Sequence, residues 1–181
     1  MSYITPYTKT KLSDKDKIIL KEIYNELEQI HIRSTFSTGK GSYHAKKTGT
    51  TDQKDGRQTS FGITTYQGQK QKSESTIKYP YFIPLFKKFI KSHYPEFKFK
   101  TVFVNKNTIC KEHLDSANTG ESLLVGLGPY TGGRTILHTG KNFDKEKKFH
   151  IKTYSLLFNG SEIPHESEPF DGTRYSLVFY K

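Results

Sequence analysis

A histidine and an aspartate placed two residues apart are the side chains of this sequence best suited to chemistry. They are His113 and Asp115, within Glu112-His113-Leu114-Asp115. In an extended segment, residues i and i+2 point to the same side, so both side chains can bind one ion. A second histidine, His165, lies just before the last predicted strand, and Arg174 begins that strand. The sequence therefore offers two imidazoles and one carboxylate for a single metal ion.

This set of ligands indicates which metal and which chemistry to expect. Two histidines and one carboxylate cover one face of non-haem Fe(II) and leave three positions open, as oxygen chemistry requires. Neutral imidazoles with one ionised carboxylate keep the ion Lewis acidic. The single cysteine, Cys110, excludes an internal disulfide and a cysteine-rich zinc site. We therefore expect an iron centre with histidine and carboxylate ligands.

In order and spacing, these residues resemble the Fe(II)- and 2-oxoglutarate-dependent oxygenases. The signature of that superfamily is His-x-Asp, a distal histidine, and a basic residue about one strand later. The likeness covers roughly residues 97–180 and includes the Gly132-Gly133 turn. It implies that His113, Asp115 and His165 are the catalytic Fe(II) ligands. It also implies an enzyme, a dioxygenase that uses O2 and 2-oxoglutarate as cosubstrates and releases succinate and CO2.

The residue that resembles the cosubstrate anchor of these oxygenases is Arg174. An arginine on a buried strand is costly unless it pairs with an anion, and its guanidinium matches a carboxylate through two hydrogen bonds. The resemblance identifies that anion as the distal carboxylate of 2-oxoglutarate, with Ser176 as a further hydroxyl donor. It also implies that Asn105 helps to hold the cosubstrate.

Helices are predicted first along the chain, and strands afterwards. Apolar residues at spacings of three and four predict a helix over Ser13–Ile30 and a second helix that ends near Tyr94. After Pro95 the apolar period changes to two, which indicates β-structure. The intervening Gly-, Ser- and Lys-rich stretch from Phe36 to Gly62 predicts a basic loop, either disordered or a flap over the substrate. The candidate strands beyond the first cover residues 122–127, 135–138, 149–157 and 174–180.

This order predicts a single α+β domain. A chain of 181 residues fits one core, with a helical, basic, loop-rich portion over 1–96 and a β-core over 97–181. The resemblance implies that this core is a double-stranded β-helix, a jelly-roll or cupin-like barrel supported by the N-terminal helices. No run of about 18 apolar residues predicts a membrane span, and the first residues lack a signal sequence. We expect an intracellular protein, cytoplasmic or nuclear.

The distribution of charge indicates a polyanionic partner. Residues 1–100 carry 19 basic and 9 acidic side chains, and residues 101–181 carry 10 and 9. Lysine and arginine near phosphates gain affinity by releasing counterions, so this asymmetry favours DNA or RNA. A base inside a duplex must be extruded before it can reach an iron centre. We expect the basic loop to contact the nucleic-acid strand that carries the extruded base. The residues predicted for this contact are Lys46, Lys47 and Arg57, with Tyr43 or Phe61 stacking on a base.

Three functions remain open. The run from Asn105 through Asp115 to Gly133 resembles the TET/JBP branch, which oxidises methyl groups of thymine or 5-methylcytosine. The short interval from His165 to Arg174 is more similar to prolyl hydroxylases, so the alternative is hydroxylation of a protein side chain. A second alternative is a basic binding module that keeps the barrel without catalysis. Steep salt dependence of binding would favour a nucleic acid.

Overall fold

The structure, a computed structural model, describes residues 6–33, 56–115 and 119–181. These residues form mainly β-sheet with few helices. The helices are α1 (Asp14–Leu27), α2 (Glu74–Lys78) and α3 (Phe82–His93). The strands up to the middle of the chain are β1 (Tyr7–Lys11), β2 (Arg57–Tyr66), β3 (Gln69–Lys72), β4 (Thr101–Lys106), β5 (Ser122–Leu127) and β6 (Tyr130–Gly132). The remaining strands are β7 (Thr135–Thr139), β8 (Lys145–Phe149), β9 (Tyr154–Phe158), β10 (His165–Ser167), β11 (Phe170–Gly172) and β12 (Tyr175–Tyr180).

The strands form three antiparallel sheets. The largest has the order β1-β9-β5-β12-β4-β2-β3, and the smaller ones are β10-β7-β8 and β11-β6. Three strands of the large sheet, β1, β2 and β3, come from the first 96 residues, so β-structure begins earlier in the chain than residue 97. In the described part of the chain, no helix is both long and apolar enough to cross a membrane.

Alternation along β4 and β12 separates the helix-facing core from the site. Leu177 and Phe179 are fully buried in a core that includes apolar residues of α1 and α3. The residues that alternate with them on β12, Ser176 and Val178, line a cavity on the other face of the sheet. β4 pairs with β12 in a register that sets Asn105 opposite Ser176. The large sheet therefore presents apolar side chains to the helices, and to the cavity it presents both polar side chains, Asn105 and Ser176, and apolar ones such as Val178.

Most of the predicted elements are confirmed, and two are wrong. The first helix covers Asp14–Leu27 within the predicted Ser13–Ile30, and the second ends at His93. Residues 149–157 form the end of β8, a turn and most of β9 rather than one strand. Residues 57–62 belong to β2, not to a loop, because their backbone pairs with β4 from Arg57↔Lys106 to Gly62↔Thr101. The rest of the predicted loop, residues 36–55, lies outside the described residues.

A buried polar cluster joins α1 and α3 to the large sheet. The side chain of Ser13 accepts a hydrogen bond from the backbone N–H of Asp16, and the Asp16 carboxylate accepts one from the backbone N–H of Ser13. The same carboxylate accepts a bond from Ser92 (2.7 Å) and lies 2.8 Å from His93 Nδ1. His93 Nε2 lies 2.6 Å from Ser155 Oγ on β9. Every member of this cluster is hydrogen-bonded, so it fixes the positions of both helices.

We expect this cluster to make stability depend on pH. Burial alone would raise the pKa of Asp16, but hydrogen bonds from Ser92, Ser13 and His93 outweigh it and lower the pKa. A carboxyl whose pKa is lower when folded stabilises the protein above the unfolded pKa, near 4, and loses this contribution as the pH falls. Asp16→Asn should lower the free energy of unfolding at pH 7 by about 1–3 kcal/mol, and by less at pH 3. Urea denaturation at both pH values measures this.

Asp14→Asn provides the control, because Asp14 occupies the same first turn of α1 but is exposed. Its effect on the free energy of unfolding should be small and nearly the same at both pH values. An equal loss in the two variants, or a loss in Asp16→Asn that does not change with pH, would contradict the role of this cluster.

Candidate active site

Two segments distant in sequence, residues 113–115 and 160–165, bring the predicted metal ligands together. His113 and His165 form an antiparallel bridge in which each backbone N–H donates to the other's carbonyl, at 3.0 and 3.1 Å. The backbone N–H of Asp115 donates to the carbonyl of Gly160 at 2.8 Å. The bridge joins the segment that contains His113 to β10, and the second bond joins it to the turn after β9. Backbone pairing therefore places all three side chains in one site.

The ligand atoms converge as a metal ion requires. His113 Nε2 lies 3.4 Å from Asp115 Oδ1, and His165 Nε2 lies 3.5 Å from Asp115 Oδ2. One nitrogen or oxygen from each residue lies within 4.8 Å of the others. The two imidazole rings are 4.3 Å apart between centroids. Each carboxylate oxygen thus faces a different histidine, and the three groups point at one position.

The Nδ1 atom of each imidazole contacts a backbone carbonyl, and this contact sets the orientation of the ring. His113 Nδ1 lies 2.7 Å from the carbonyl of Lys111, and His165 Nδ1 lies 2.8 Å from the carbonyl of Ile163. A carbonyl only accepts, so the proton of each neutral ring belongs on Nδ1 and the lone pair on Nε2. This is the arrangement by which metal-binding histidines are oriented in proteins. The residues present therefore fit a divalent ion.

The charges of the site are strongly coupled. Burial would raise the pKa of the Asp115 carboxyl, but hydrogen bonds with His113 and His165 outweigh it and hold that pKa well below its usual range. Burial lowers the pKa of His113, but its bonds with Asp115 and the Lys111 carbonyl prevail and raise it. Asp115 is therefore ionised at neutral pH and supplies the negative charge of the site.

Gly160 is a site residue that the sequence did not reveal. A Cβ atom added at this position would overlap Asp115 Oδ2 and come within 3.3 Å of His165 Cε1. The absence of a side chain leaves room for the carboxylate, and the Gly160 carbonyl fixes the Asp115 backbone. The sequence shows this glycine only as part of a turn at Asn159-Gly160-Ser161, which the structure contains: Ser161 donates to Asn159 Oδ1.

A cavity of about 300 Å³ opens from the three ligands. Its apolar walls include Phe103, Leu124 and Phe158. Cys110 also lines it, and burial raises the pKa of this thiol to about 11, so it is neutral. The cavity is large enough for a small organic acid beside an ion, and its apolar walls exclude water from most of its surface.

Arg174 is the cation of this cavity and is only 3% exposed. Its Nε donates to the carbonyl of Gly133 at 3.2 Å, and its guanidinium lies 5.5 Å from the Tyr130 ring and 6.0 Å from the Phe170 ring. No carboxylate of residues 6–33, 56–115 or 119–181 forms an ion pair with it. A buried guanidinium without a carboxylate in the described chain is suited to an anionic ligand.

Polar side chains of three neighbouring strands continue from Arg174 along the cavity. Asn105 Nδ2 donates to Ser176 Oγ at 3.3 Å, and Gln58 Nε2 donates to Asn105 Oδ1 at 2.8 Å. The structure therefore brings Asn105 and Ser176 into the cavity that contains Arg174 and the metal ligands. Gln58 is the second residue that sequence reasoning missed; it lay inside the predicted loop.

The predicted substrate residues have different outcomes. Lys46, Lys47 and Tyr43 lie outside the described residues. Arg57, at the start of β2, donates from its guanidinium to the carbonyl of Ile32 at 2.7 Å. The prediction that Phe61 stacks on a base is wrong for this structure. Its ring is fully buried and packs against aromatic rings of α3, because β2 is a strand of the large sheet.

A second polar cluster supports the segments that contain the ligand histidines. His138 Nε2, on β7, lies 3.2 Å from the Glu166 carboxylate and 3.7 Å from that of Glu112. Each glutamate directly adjoins one of the ligands, His165 or His113. His138 does not line the cavity but Glu166 does, so this cluster connects β7 to both segments at the wall of the cavity.

Solved structures with a similar fold are 2-oxoglutarate-dependent Fe(II) oxygenases. A 2OG-Fe(II) oxygenase-family oxidoreductase from Burkholderia pseudomallei is 14% identical, with a TM-score of 0.61 over 97% of this chain and 83% of that one. NgTET1 in complex with 5mC DNA is 15% identical, with a TM-score of 0.60 over 97% and 71%. A Pseudomonas putida prolyl-4-hydroxylase is 12% identical, with a TM-score of 0.53 over 97% and 92%. No protein-family model and no curated protein matches the sequence.

Proposed function

We propose that this chain, whose fold is that of the 2-oxoglutarate-dependent Fe(II) oxygenases, is itself such an enzyme and folds as a double-stranded β-helix. The observation that supports this most is one cavity that contains both a His-Asp-His ligand set and a buried arginine. Either feature alone has other uses in proteins. Together they provide the two functions that a 2-oxoglutarate oxygenase needs, a metal site and an anchor for a dicarboxylate.

The roles of the chain's own residues follow from this geometry. His113, Asp115 and His165 would hold Fe(II), which together with 2-oxoglutarate and O2 supplies the oxidising chemistry and yields succinate and CO2. Arg174 binds the distal carboxylate of 2-oxoglutarate through its guanidinium fork. Ser176 donates a hydroxyl hydrogen bond to the same acid, and Asn105 orients Ser176. The apolar walls exclude water and so strengthen these charged contacts.

For the substrate, we propose a nucleic-acid base, oxidised at the methyl group of thymine or 5-methylcytosine. The excess of basic residues in the first hundred supports a polyanionic substrate. The similarity of the fold to NgTET1, a protein solved in complex with 5mC DNA, also supports a nucleic-acid substrate.

A specific observation also favours a second candidate, hydroxylation of a protein side chain. The fold is similar to that of a prolyl-4-hydroxylase, and the nine positions from His165 to Arg174 resemble the spacing of prolyl hydroxylases. Binding of a peptide does not require the excess of basic residues in the first hundred positions. Substrate binding that weakens steeply as the salt concentration rises would therefore favour the nucleic acid over the peptide.

The test combines succinate measurement with mass analysis of the substrate. The protein is incubated with Fe(II), 2-oxoglutarate and O2, and with single-stranded oligonucleotides containing thymine or 5-methylcytosine, or with proline-containing peptides. We expect succinate together with a gain of one oxygen in an oligonucleotide, and neither product when 2-oxoglutarate is omitted. Oxygen gained only by the peptides would establish the second candidate. Absence of succinate in every mixture would contradict an oxygenase and leave a binding module.

A further inference from the structure

The positive charge of the protein is concentrated in one part of the described chain. Residues 56–100 contain 9 basic and 2 acidic side chains, a net charge of +7, whereas the whole sequence has +11. This segment forms β2, β3, α2 and α3. Residues 101–181, with 10 basic and 9 acidic side chains, contribute only +1 although they contain the metal ligands and Arg174. Four of these nine cations, Arg57, Lys70, Lys72 and Lys78, lie on β2, β3 and α2, where Glu74 is the one acidic residue, so this edge of the large sheet attracts a polyanion.

A polar groove of about 650 Å³ lies at this edge. It runs along β2, the end of β3, α2 and the chain before residue 34. Gln58 belongs to the wall of this groove and also to the wall of the active-site cavity. The groove and the active-site cavity thus share a wall residue, so a chain bound in the groove passes beside that wall of the cavity.

The side chains that line the groove are of the types that bind a single strand of nucleic acid. Arg33, Lys72 and Lys78 line it and are exposed, while Glu74 is the one acidic residue among the described lining residues. Carboxylates of the described residues form no ion pair with these three cations. Tyr66, at the end of β2, also lines the groove and is 62% exposed. Surfaces that bind single-stranded nucleic acids typically combine exposed cations with an exposed aromatic ring, since the cations pair with phosphates and the ring stacks on a base.

The same residues disfavour a peptide in this groove. β3 is an edge strand, and an extended peptide would bind here by adding a further strand to the sheet. All four β3 residues are exposed and two of them are lysines. Lysines on an edge strand oppose strand addition, whereas they favour a phosphate backbone that crosses the edge.

We propose that this groove binds the backbone of a single nucleic-acid strand and directs one of its bases toward the cavity. The proposal rests on the oxygenase function, for which it specifies the substrate and the surface that recognises it. Arg33, Lys72 and Lys78 pair with phosphates, and Tyr66 stacks on a base. A single strand fits because its bases are already free of a duplex, so no pairing energy opposes their entry.

Fluorescence anisotropy with a labelled 12-nucleotide single strand tests this, without iron or 2-oxoglutarate. The triple variant Arg33→Gln, Lys72→Gln, Lys78→Gln should raise Kd at least tenfold at low salt. It should also reduce the slope of log Kd against log salt concentration by about 2, because each of the three lost phosphate contacts contributes roughly 0.7 to this slope. Tyr66→Ala should raise Kd about fivefold or more and leave that slope unchanged, because stacking involves no counterion release.

The matched control removes three equally exposed lysines elsewhere. Lys141, Lys145 and Lys147 lie in or next to β8, on the separate three-stranded sheet, so their replacement by glutamine gives the same net charge. This variant should change Kd less than threefold. An equal loss in both triple variants would show attraction by overall charge and overturn the proposal. So would wild-type affinity in either groove variant, or binding of a proline-containing peptide in place of the oligonucleotide.

Because binding is measured without cofactors, its failure is distinguishable from failure of the oxygenase proposal. A protein that forms succinate but binds the strand elsewhere refutes only the groove. A protein that binds the strand in the groove but forms no succinate refutes only the oxygenase.

Discussion

Asp115→Asn is expected to abolish succinate formation. The substitution keeps the shape of the side chain but removes the negative charge that faces Nε2 of both His113 and His165. A divalent ion would then have only neutral ligands, and an amide oxygen is a far weaker ligand than a carboxylate. Loss of a residue that merely orients a ligand costs about 10–100-fold in metal affinity. Loss of the ligand charge itself should cost at least about 100-fold.

Two measurements establish the cause of this loss. Titration with Mn²⁺ or Co²⁺ should show weakened metal binding, and the metal-free variant should still unfold in one cooperative thermal transition, which shows that it is folded. Asp171→Asn is the control, because Asp171 is an exposed aspartate on β11 and its substitution removes the same charge. It should retain both metal binding and turnover. Wild-type turnover in Asp115→Asn would remove this carboxylate from the proposed centre.

The convergence of the three proposed metal ligands could be predicted from their residue types, order and spacing along the sequence. His113 and Asp115 share a side through extended backbone, and His165 stands at the start of a strand. By contrast, Gly160 and Gln58 acquire their roles only when distant segments meet. The steric need for glycine at position 160 arises from the Asp115 carboxylate, 45 positions earlier in the chain. Nothing in the neighbouring sequence distinguishes it from an ordinary turn glycine.

The wrong predictions also have physical causes. β2 buries only Phe61 and Gly62 completely, so it lacks the apolar alternation by which a half-buried strand is identified. Four of the five β8 residues are exposed, and these four are lysines and a glutamate, so this strand gives no apolar signal. Both strands depend on backbone pairing with a neighbour. Phe61 was assigned to a substrate surface for the same reason, since a ring in a presumed loop looks free to stack.

Arg174→Gln is expected to weaken 2-oxoglutarate binding roughly 100-fold while leaving the metal site intact. The guanidinium is buried in the cavity and its donors can pair with a carboxylate in two charge-assisted hydrogen bonds. Each such bond contributes about 1.5–3 kcal/mol, and 1.4 kcal/mol corresponds to a tenfold change in affinity. Arg174→Lys retains the charge but not the planar fork, so it should fall between the wild type and Arg174→Gln.

The shift in Tm that 2-oxoglutarate causes reports this binding without turnover, since a ligand of the folded state stabilises it by an amount that grows with the logarithm of the ratio of ligand concentration to Kd. The shift should be large in the wild type with Mn²⁺, smaller in Arg174→Lys, and absent in Arg174→Gln at the same concentration. Arg134→Gln removes an arginine that pairs with Glu168 at the surface, outside the cavity, and should leave the shift unchanged. Unchanged 2-oxoglutarate affinity in Arg174→Gln would mean that this arginine serves the fold alone. An equal loss of Mn²⁺ affinity would mean that the substitution disturbs the ligand set, and either result would contradict the proposed anchor.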